Sequence, residues 1–344
     1  MNPDPAHGPI LGIESSCDET AAAIVDCRDQ VMASVVYTQI EEHAAWGGVV
    51  PEIAGRSHLR AIRPAVEEAL TEAGLAPGDL GGIAVTHRPG LLGSLLIGTT
   101  AAKALAFAWE KPLIGVHHIE AHSYAALMPL EERHFPYLTL VVSGGHTSLY
   151  RCDDPLHMTL LGSTLDDAAG EALDKAAKML GLGYPGGPAI QEAGKDGDPK
   201  AFPFKMPLLA PDSLDFSFSG MKTALLYTIK GPGGTMQDPW IIDPAKTSDL
   251  CASFEDTVMR TLARKCRRAT QATGIGRVLV GGGVACNRRL REVMATEAQK
   301  AGFEATFAPP AYCTDNAVMI AGLGGERLRH GKIDDLELDV AATG

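Results

Sequence analysis

Ile10-Leu11-Gly12-Ile13, the polar run Glu14 to Thr20, and the apolar return Ala21 to Asp26 read as strand, tight turn, strand. The design recurs at Leu138-Thr139-Leu140-Val141-Val142, Ser143-Gly144-Gly145-His146-Thr147 and Ser148-Leu149-Tyr150. One copy sits in each half of the chain, which predicts an internal duplication. Such a turn presents backbone N–H groups and hydroxyls to a phosphate, although a plain hairpin turn accounts equally well for either copy alone. Between the copies the pattern predicts a helix from about Glu52 to Gly74 and a strand from Gly82 to Thr86. The Pro89-Gly90 turn, a buried apolar helix through Trp109 and a strand Leu113 to Val116 follow. Alternating strands and helices predict an α/β architecture with sites at strand ends.

Glu131 to Pro136 is a charged, Pro-ended hinge candidate. In the second half, Asp167, Glu171 and Asp174 share a helix face, with Lys178 four beyond Asp174, an ordinary stabilising pair. Phe216 to Lys222 alternates aromatic and hydroxyl residues before a helix, and Gly194 to Lys205 and Gly231 to Asp243 read as surface excursions. A strand from Arg277 to Val280 runs into Gly281-Gly282-Gly283, which lets a ligand approach the backbone. Asn287 suits the N-cap of the next helix, as Asp315 does for the apolar helix after Pro309-Pro310. The acidic tail from Lys332 is expected to be poorly ordered.

At 344 residues the chain exceeds one comfortable core, so two lobes are expected. A hydrophobic content of 45% with 38 Gly and 22 Pro describes a globular chain with many tight turns. The formal net charge of −12 opposes broad attraction to nucleic acid or an anionic membrane, leaving local patches as the route to a polyanion. Seven cysteines without a C-x-x-C suit a reducing cytoplasm. Met1 to Pro9 has no signal-peptide pattern. Lys103 and the threonines at 99 and 100 make Leu91 to Trp109 a core helix in this reading, not a membrane span.

The stretch Gly115-Val116-His117-His118-Ile119-Glu120-Ala121-His122 places His118 and His122 four apart at the start of a predicted helix. Two imidazoles on one helix face can converge on a metal; two capped or exposed histidines fit the same spacing. The metalloprotease pattern H-E-x-x-H needs its glutamate directly after the first histidine. Glu120 comes two positions on, about 200° round the helix, which opposes a zinc-protease reading.

Nine collinear motifs share a resemblance. They are Gly12 to Thr20, Gly47 to Glu52, Pro89 to Gly93, His117 to His122, Val142 to Thr147, Asp166 to Glu171, Asp215 to Gly220, Gly281 to Val284 and Cys313 to Asn316. The chain resembles, from about Gly8 to Gly331, the tRNA N6-adenosine threonylcarbamoyltransferase (TsaD) family in its bacterial form. The resemblance implies the two-lobed ASKHA fold of actin, Hsp70-type chaperones and sugar kinases: duplicated RNase H-like domains with a cleft between them. The lobes are expected over residues 1–131 with 312–344 packing back, and over 132–311. It implies transfer of threonylcarbamoyl from threonylcarbamoyl-AMP to N6 of the adenosine beside the anticodon of tRNAs reading ANN codons.

The resemblance makes His118, His122 and Asp315 ligands of one divalent metal, Fe(II) favoured and Zn(II) possible, and so turns Asp315 from cap into ligand. It assigns substrate contacts to Val141, Val142, Ser143, Gly144, Gly145, Asp174, Gly187 and Asn287. Asp18, Glu19 and His146 are candidates for the catalytic base by motif position. Expected partners are tRNA, a TsaB-like paralogue and a TsaE-like ATPase, in the cytoplasm and without a membrane. The chain departs from the family at His87-Arg88, before Pro89-Gly90, and in lacking a basic C-terminal end. An ATPase or phosphotransferase of the same fold has no use for the two histidines, and a non-enzymatic scaffold would be expected to lose them. For tRNA, the densest basic runs are Lys265 to Arg268 and Arg288 to Arg291, with Arg56, Arg60 and Arg63 at near-helical spacing; solvated helix faces paired with acids are the alternative for each.

Overall fold

Strands β1 (Ile10–Glu14), β2 (Glu19–Val25), β3 (Val31–Thr38), β4 (Gly82–Arg88) and β5 (Leu113–His117) form a mixed sheet in the order β3-β2-β1-β4-β5. The strands β1, β2 and β3 are joined antiparallel, while β1, β4 and β5 run parallel. The first-half helices are α1 (Ile40–Ala44), α2 (Pro51–Ala73), α3 (Leu92–Trp109) and α4 (His118–Leu127). A second sheet repeats the plan with β6 (Tyr137–Val142), β7 (Thr147–Asp154), β8 (His157–Ser163), β9 (Arg277–Gly281) and β10 (Glu304–Phe307), in the order β10-β9-β6-β7-β8. Matching β6 to β1 aligns every strand, so the duplication read from the two turns is present. Its helices are α5 (Ala169–Met179), α6 (Gly186–Ala193), α7 (Ser219–Lys230), α8 (Pro244–Thr273) and α9 (Arg288–Ala301), followed by α10 (Pro310–Cys313) and α11 (Ala317–Arg329).

This computed structural model describes residues 8–206, 210, 212–231 and 243–343. Most of the N-terminal stretch read as leaderless, and most of the Gly231 to Asp243 excursion, lie outside the described residues. The chain divides into two units: Met1–Arg133 with Asp154–His157 and Ala311–Gly344, and His134–Asp153 with Met158–Pro310. The chain passes from one to the other inside the Glu131 to Pro136 segment.

Alternation along the strands decides what each face of the first sheet meets. Leu11, Ile13, Ile83 and Val85 form one core with Ile62, Ala65 and Ala69 of α2 and Ala102 and Ala106 of α3. The opposite face receives α11. A Cβ on Gly12 would lie 2.4 Å from the Ala317 carbonyl oxygen, and one on Gly324 2.3 Å from Ala84 Cβ. The final helix therefore returns to the first strand at backbone contact distance.

The buried helix expected through Trp109 is buried on one side. Ser94, Leu95, Gly98, Thr99, Ala102 and Ala106 face inward, whereas Leu92, Leu96 and Phe107 are exposed. By length and composition α3 is apolar enough to cross a membrane, but its small-residue face packs on the sheet, with Gly98 against Ser15.

The expectation of a poorly ordered tail is corrected. Asp334 N–H donates to the Leu113 carbonyl (2.9 Å), and its carboxylate accepts from Gly115 N–H (2.8 Å). Further on, Ala341 N–H donates to the His87 carbonyl, and the His87 ring meets the Asp339 carbonyl at 3.0 Å. The tail thus covers β5, the exposed edge of the sheet, which satisfies backbone groups an edge strand leaves open. His87 thereby anchors the tail.

Gly12→Ala is expected to force α11 off β1 and to cost about 1–3 kcal/mol, as overpacking does. A thermal melt of the variant within a degree of the parent would contradict the close approach.

Candidate metal and nucleotide sites

The parallel strands β1, β4 and β5 end on the same edge, where α/β sheets place their ligands. Helix α4 starts at the last residue of β5: His117 Nδ1 accepts from Ile119 N–H at 3.2 Å as its cap. His118 and His122, both buried, then stand one turn apart with ring centroids 4.6 Å apart and planes at 83°. Asp315 arrives from the segment between α10 and α11. The cap reading for Asp315 is corrected by its neighbour: Asn316 Oδ1 accepts from Met319 N–H at 3.0 Å and caps α11. Asp315 is left to face the histidines, its Oδ1 lying 3.1 Å from His122 Nε2 and 3.4 Å from His118 Nε2. One donor atom from each residue falls within 4.8 Å of the others. Glu120 is not part of this cluster.

Two imidazole nitrogens and a carboxylate oxygen on one side of a point fit a divalent cation with open positions. Burial lowers the pKa of His122 and keeps it neutral, the state a metal takes. His118 is different. Burial would lower it, but the Asp315 and Glu14 carboxylates on either side raise it well above its ordinary value. Asp315 is held well below the carboxylate range: burial opposes this, and the charge and hydrogen bond of His118 outweigh it. Glu19 is pushed up to about 10 by burial, then by Asp315 and Asp18, so without a cation it keeps its proton at neutral pH.

The turn that carries Asp18 and Glu19 is braced by a residue the sequence did not flag. Buried His58 of α2 meets the Cys17 carbonyl at 2.9 Å through Nε2 and Thr20 Oγ1 at 2.7 Å through Nδ1, one contact on each side of the acidic pair. Glu14 was read as the first residue of the turn; it is the buried end of β1 and lies 3.0 Å from His118 Nδ1. A carboxylate inside an otherwise apolar strand was the available signal.

In the second unit Val141 and Val142 are buried in β6, and Ser143 N–H closes the turn on the His146 carbonyl at 2.8 Å. A Cβ on Gly144 or Gly145 would meet nothing within 4 Å, so there is room beside both residues. Gly282, at φ 92°, packs on the Val142 carbonyl and brings the loop after β9 beside this turn. Gly170 brings the start of α5 against Ser143 and Gly144. Asp174 Oδ1 accepts from Gly186 N–H at 2.7 Å, next to Gly187. The ion pair of this helix face belongs to Lys175, which holds Asp167 (2.6 Å) and Glu171 (2.9 Å). Asn287 is the N-cap of α9, accepting from Leu290 N–H at 3.0 Å, and donates to Glu255 at 2.6 Å.

A family model for TsaD, tRNA N6-adenosine threonylcarbamoyltransferase, matches residues 30–322. Proteins of that name are similar along nearly the whole length. That of Geobacter sulfurreducens is 50% identical over 330 residues, covering 96% of this chain and 95% of its own. That of Syntrophotalea carbinolica is 48% identical over 334 residues, covering 97% and 96%. The chain belongs to the TsaD family. Among solved structures, HypF of T. kodakarensis has a TM-score of 0.60 at 16% identity, covering 98% of this chain and 49% of that one. A ROK family glucokinase from Streptomyces griseus has a TM-score of 0.51 at 9% identity, covering 92% and 98%. At such identities the likeness is one of fold, the duplicated α/β plan of the ASKHA proteins.

Most side chains of the basic runs are engaged within the protein, while Arg288 is exposed. Lys265 and Arg268 both donate to the Ser213 carbonyl, and Arg267 pairs with Glu297. Arg289 pairs with Asp256 and Glu292, while Arg291 lies over the Phe307 ring at 4.6 Å and donates to the Ala285 carbonyl. These side chains brace α8 and α9, and Arg63 pairs with Glu67; Arg56 and Arg60 stay exposed on α2. The aromatic–hydroxyl alternation is structural too: Phe216 and Phe218 are buried, and Ser217 and Ser219 donate to Asp166.

A cation bound at this cluster would have to displace the His118 proton. Because His118 is raised above its ordinary 6.5, affinity for Zn(II) should climb with pH from that value upward, by up to about tenfold per unit while one proton is released. Chelator-competition titrations across pH measure this, and a flat profile would contradict it.

Proposed function

We propose that the chain passes threonylcarbamoyl from its mixed anhydride with AMP to N6 of the adenosine beside the anticodon, with one divalent metal on His118, His122 and Asp315. By family it is a transferase that builds N6-threonylcarbamoyladenosine in tRNA. The observation that carries the finer reading is the convergence of His118 Nε2, His122 Nε2 and Asp315 Oδ1 at the strand ends of the first unit. The N6 amine attacks the carbamoyl carbon, the bond from that carbon to the phosphate oxygen breaks, AMP leaves, and a base takes the N6 proton. When bound, a divalent cation supplies a charge sink for phosphate oxygens; Fe(II) is favoured by the family resemblance, and Zn(II) suits the same donors.

In this reading the chain's own groups orient and stabilise. The turn after Val141 and Val142, with the Ser143 hydroxyl, the backbone of Gly144 and Gly145 and the Gly282 loop, takes the phosphate; Asp174 takes a ribose hydroxyl, and Gly187 offers backbone. Asn287 shapes the loop while its side chain holds Glu255 and the α9 N-terminus. Asp18, Glu19 and His146 stay candidates for the base, Glu19 being the weakest while it keeps its proton. The two units serve as the lobes of the fold. A chain at −12 whose densest basic runs are used internally needs help to hold tRNA, which supports a TsaB-like paralogue and a TsaE-like ATPase as partners in the cytoplasm.

His122→Ala should strip most of the bound metal and abolish threonylcarbamoylation of tRNA assayed with threonylcarbamoyl-AMP and helper subunits. Unchanged metal content with unchanged activity would sink the reading. Asp174→Ala should weaken adenylate binding by about 1–3 kcal/mol, and Lys178→Ala should leave it alone. Equal losses in a nucleotide titration would assign the effect to the helix rather than to a sugar contact.

A further inference from the structure

We propose that Glu14 is the positioning residue that fixes His118 for the metal, by accepting from its Nδ1–H so that Nε2 turns toward Asp315. The inference rests on the metal reading above and adds a residue outside the donor set. Glu14 is the last residue of β1 and has no exposed surface. Along that strand it shares the face of Gly12, the face on which α11 lies, so it projects to the side from which Asp315 comes. Its carboxylate is held twice more: Ser16 N–H, two residues on in the turn, donates to Oε1 (2.5 Å), and Thr86 Oγ1 of β4 donates to Oε2 (2.6 Å). His118 Nδ1 lies 3.0 Å from the same Oε2.

An ionised carboxylate only accepts. The nitrogen facing Glu14 must therefore be the one that carries hydrogen, and the lone pair available to a metal is left on Nε2, 3.4 Å from Asp315 Oδ1. Ser16 Oγ, 3.2 Å from the same Nδ1, is the neutral competitor. A fully buried carboxylate is a poor way to stabilise a strand, since an apolar residue of similar size serves as well or better. Its three convergent donors make sense as the outer half of a carboxylate–histidine–metal relay. Asp315 reaches both histidines, whereas Glu14 meets only the far nitrogen of one.

The test is a Zn(II) titration against a competing chelator on full-length metal-free protein, with thermal melts alongside. Glu14→Gln should lose about 10–100-fold in Zn(II) affinity while still binding one ion at saturation. Glu14→Asp should recover part of the loss, and Thr86→Val, which removes one donor to the carboxylate, should show a smaller loss of the same sign. Glu14→Gln with a lowered melt but affinity within about twofold of the parent would make the residue merely structural and overturn the proposal. If Glu14→Gln does not fold, Thr86→Val decides, and unchanged affinity there overturns it. Absence of Zn(II) binding in the parent, or full binding by His122→Ala, would instead bring down the metal reading and this inference with it.

Discussion

Helix α11 can lie on the first sheet because residue 12 has no side chain. At 2.4 Å from the Ala317 carbonyl, no Cβ fits there, and this close approach governs the site. It brings Asp315 to a histidine 193 residues earlier in the chain. Closing so long a loop costs little more entropy than closing a short one, and the near-complete burial of α11 from Ala317 to Gly325 offsets it. The same packing takes α11 against Ala84 of β4, so two parallel strands and the final helix share one backbone-level contact.

What gathers at that contact is a surplus of acid. Glu14 and Asp315 face the two histidines, with Asp18 and Glu19 near Asp315, and only one histidine can be cationic without a metal, since His122 is held neutral by burial. The protein without metal settles the imbalance by protonating His118 between Glu14 and Asp315 and by leaving Glu19 protonated. A divalent cation does the same job with more charge at one point, which is the physical case for reading the site as a metal centre.

The fold was legible because its signals are periodic and local. Strand, turn and strand at Ile10 to Asp26 recur at Leu138 to Tyr150, and the parallel strands carry continuous apolar runs. Helix spacing also brought His118 and His122 together. The misreadings occurred where a tertiary neighbour decides. Asp315 and Asn316 both suit an N-cap, and only the packing of α11 shows that Asn316 takes it. The tail looks disordered by composition, but Asp334 supplies what the β5 edge lacks. Basic runs look like a polyanion surface until Ser213, Asp256 and Glu297 are found beside them. Glu14 is marked only as one carboxylate in an apolar strand, and His58 is one polar residue among many on a mixed helix, so no periodicity singles out either.

The duplication shows how one plan yields two chemistries. In both sheets the first strand runs into a turn and back, with two parallel strands on its other side. The first copy sets acids in and beside that turn, Glu14 at the end of β1, Asp18 within it and Glu19 at the start of β2, and braces it with His58. The second carries Ser143, Gly144 and Gly145 there, with room beside both glycines, and sets Gly282 at φ 92° against the Val142 carbonyl. Buried carboxylates attract cations, and exposed N–H groups at a glycine turn attract anions. The same topological position has thus diverged in charge. A duplicated sheet thus offers two turns of opposite character without any new element of fold.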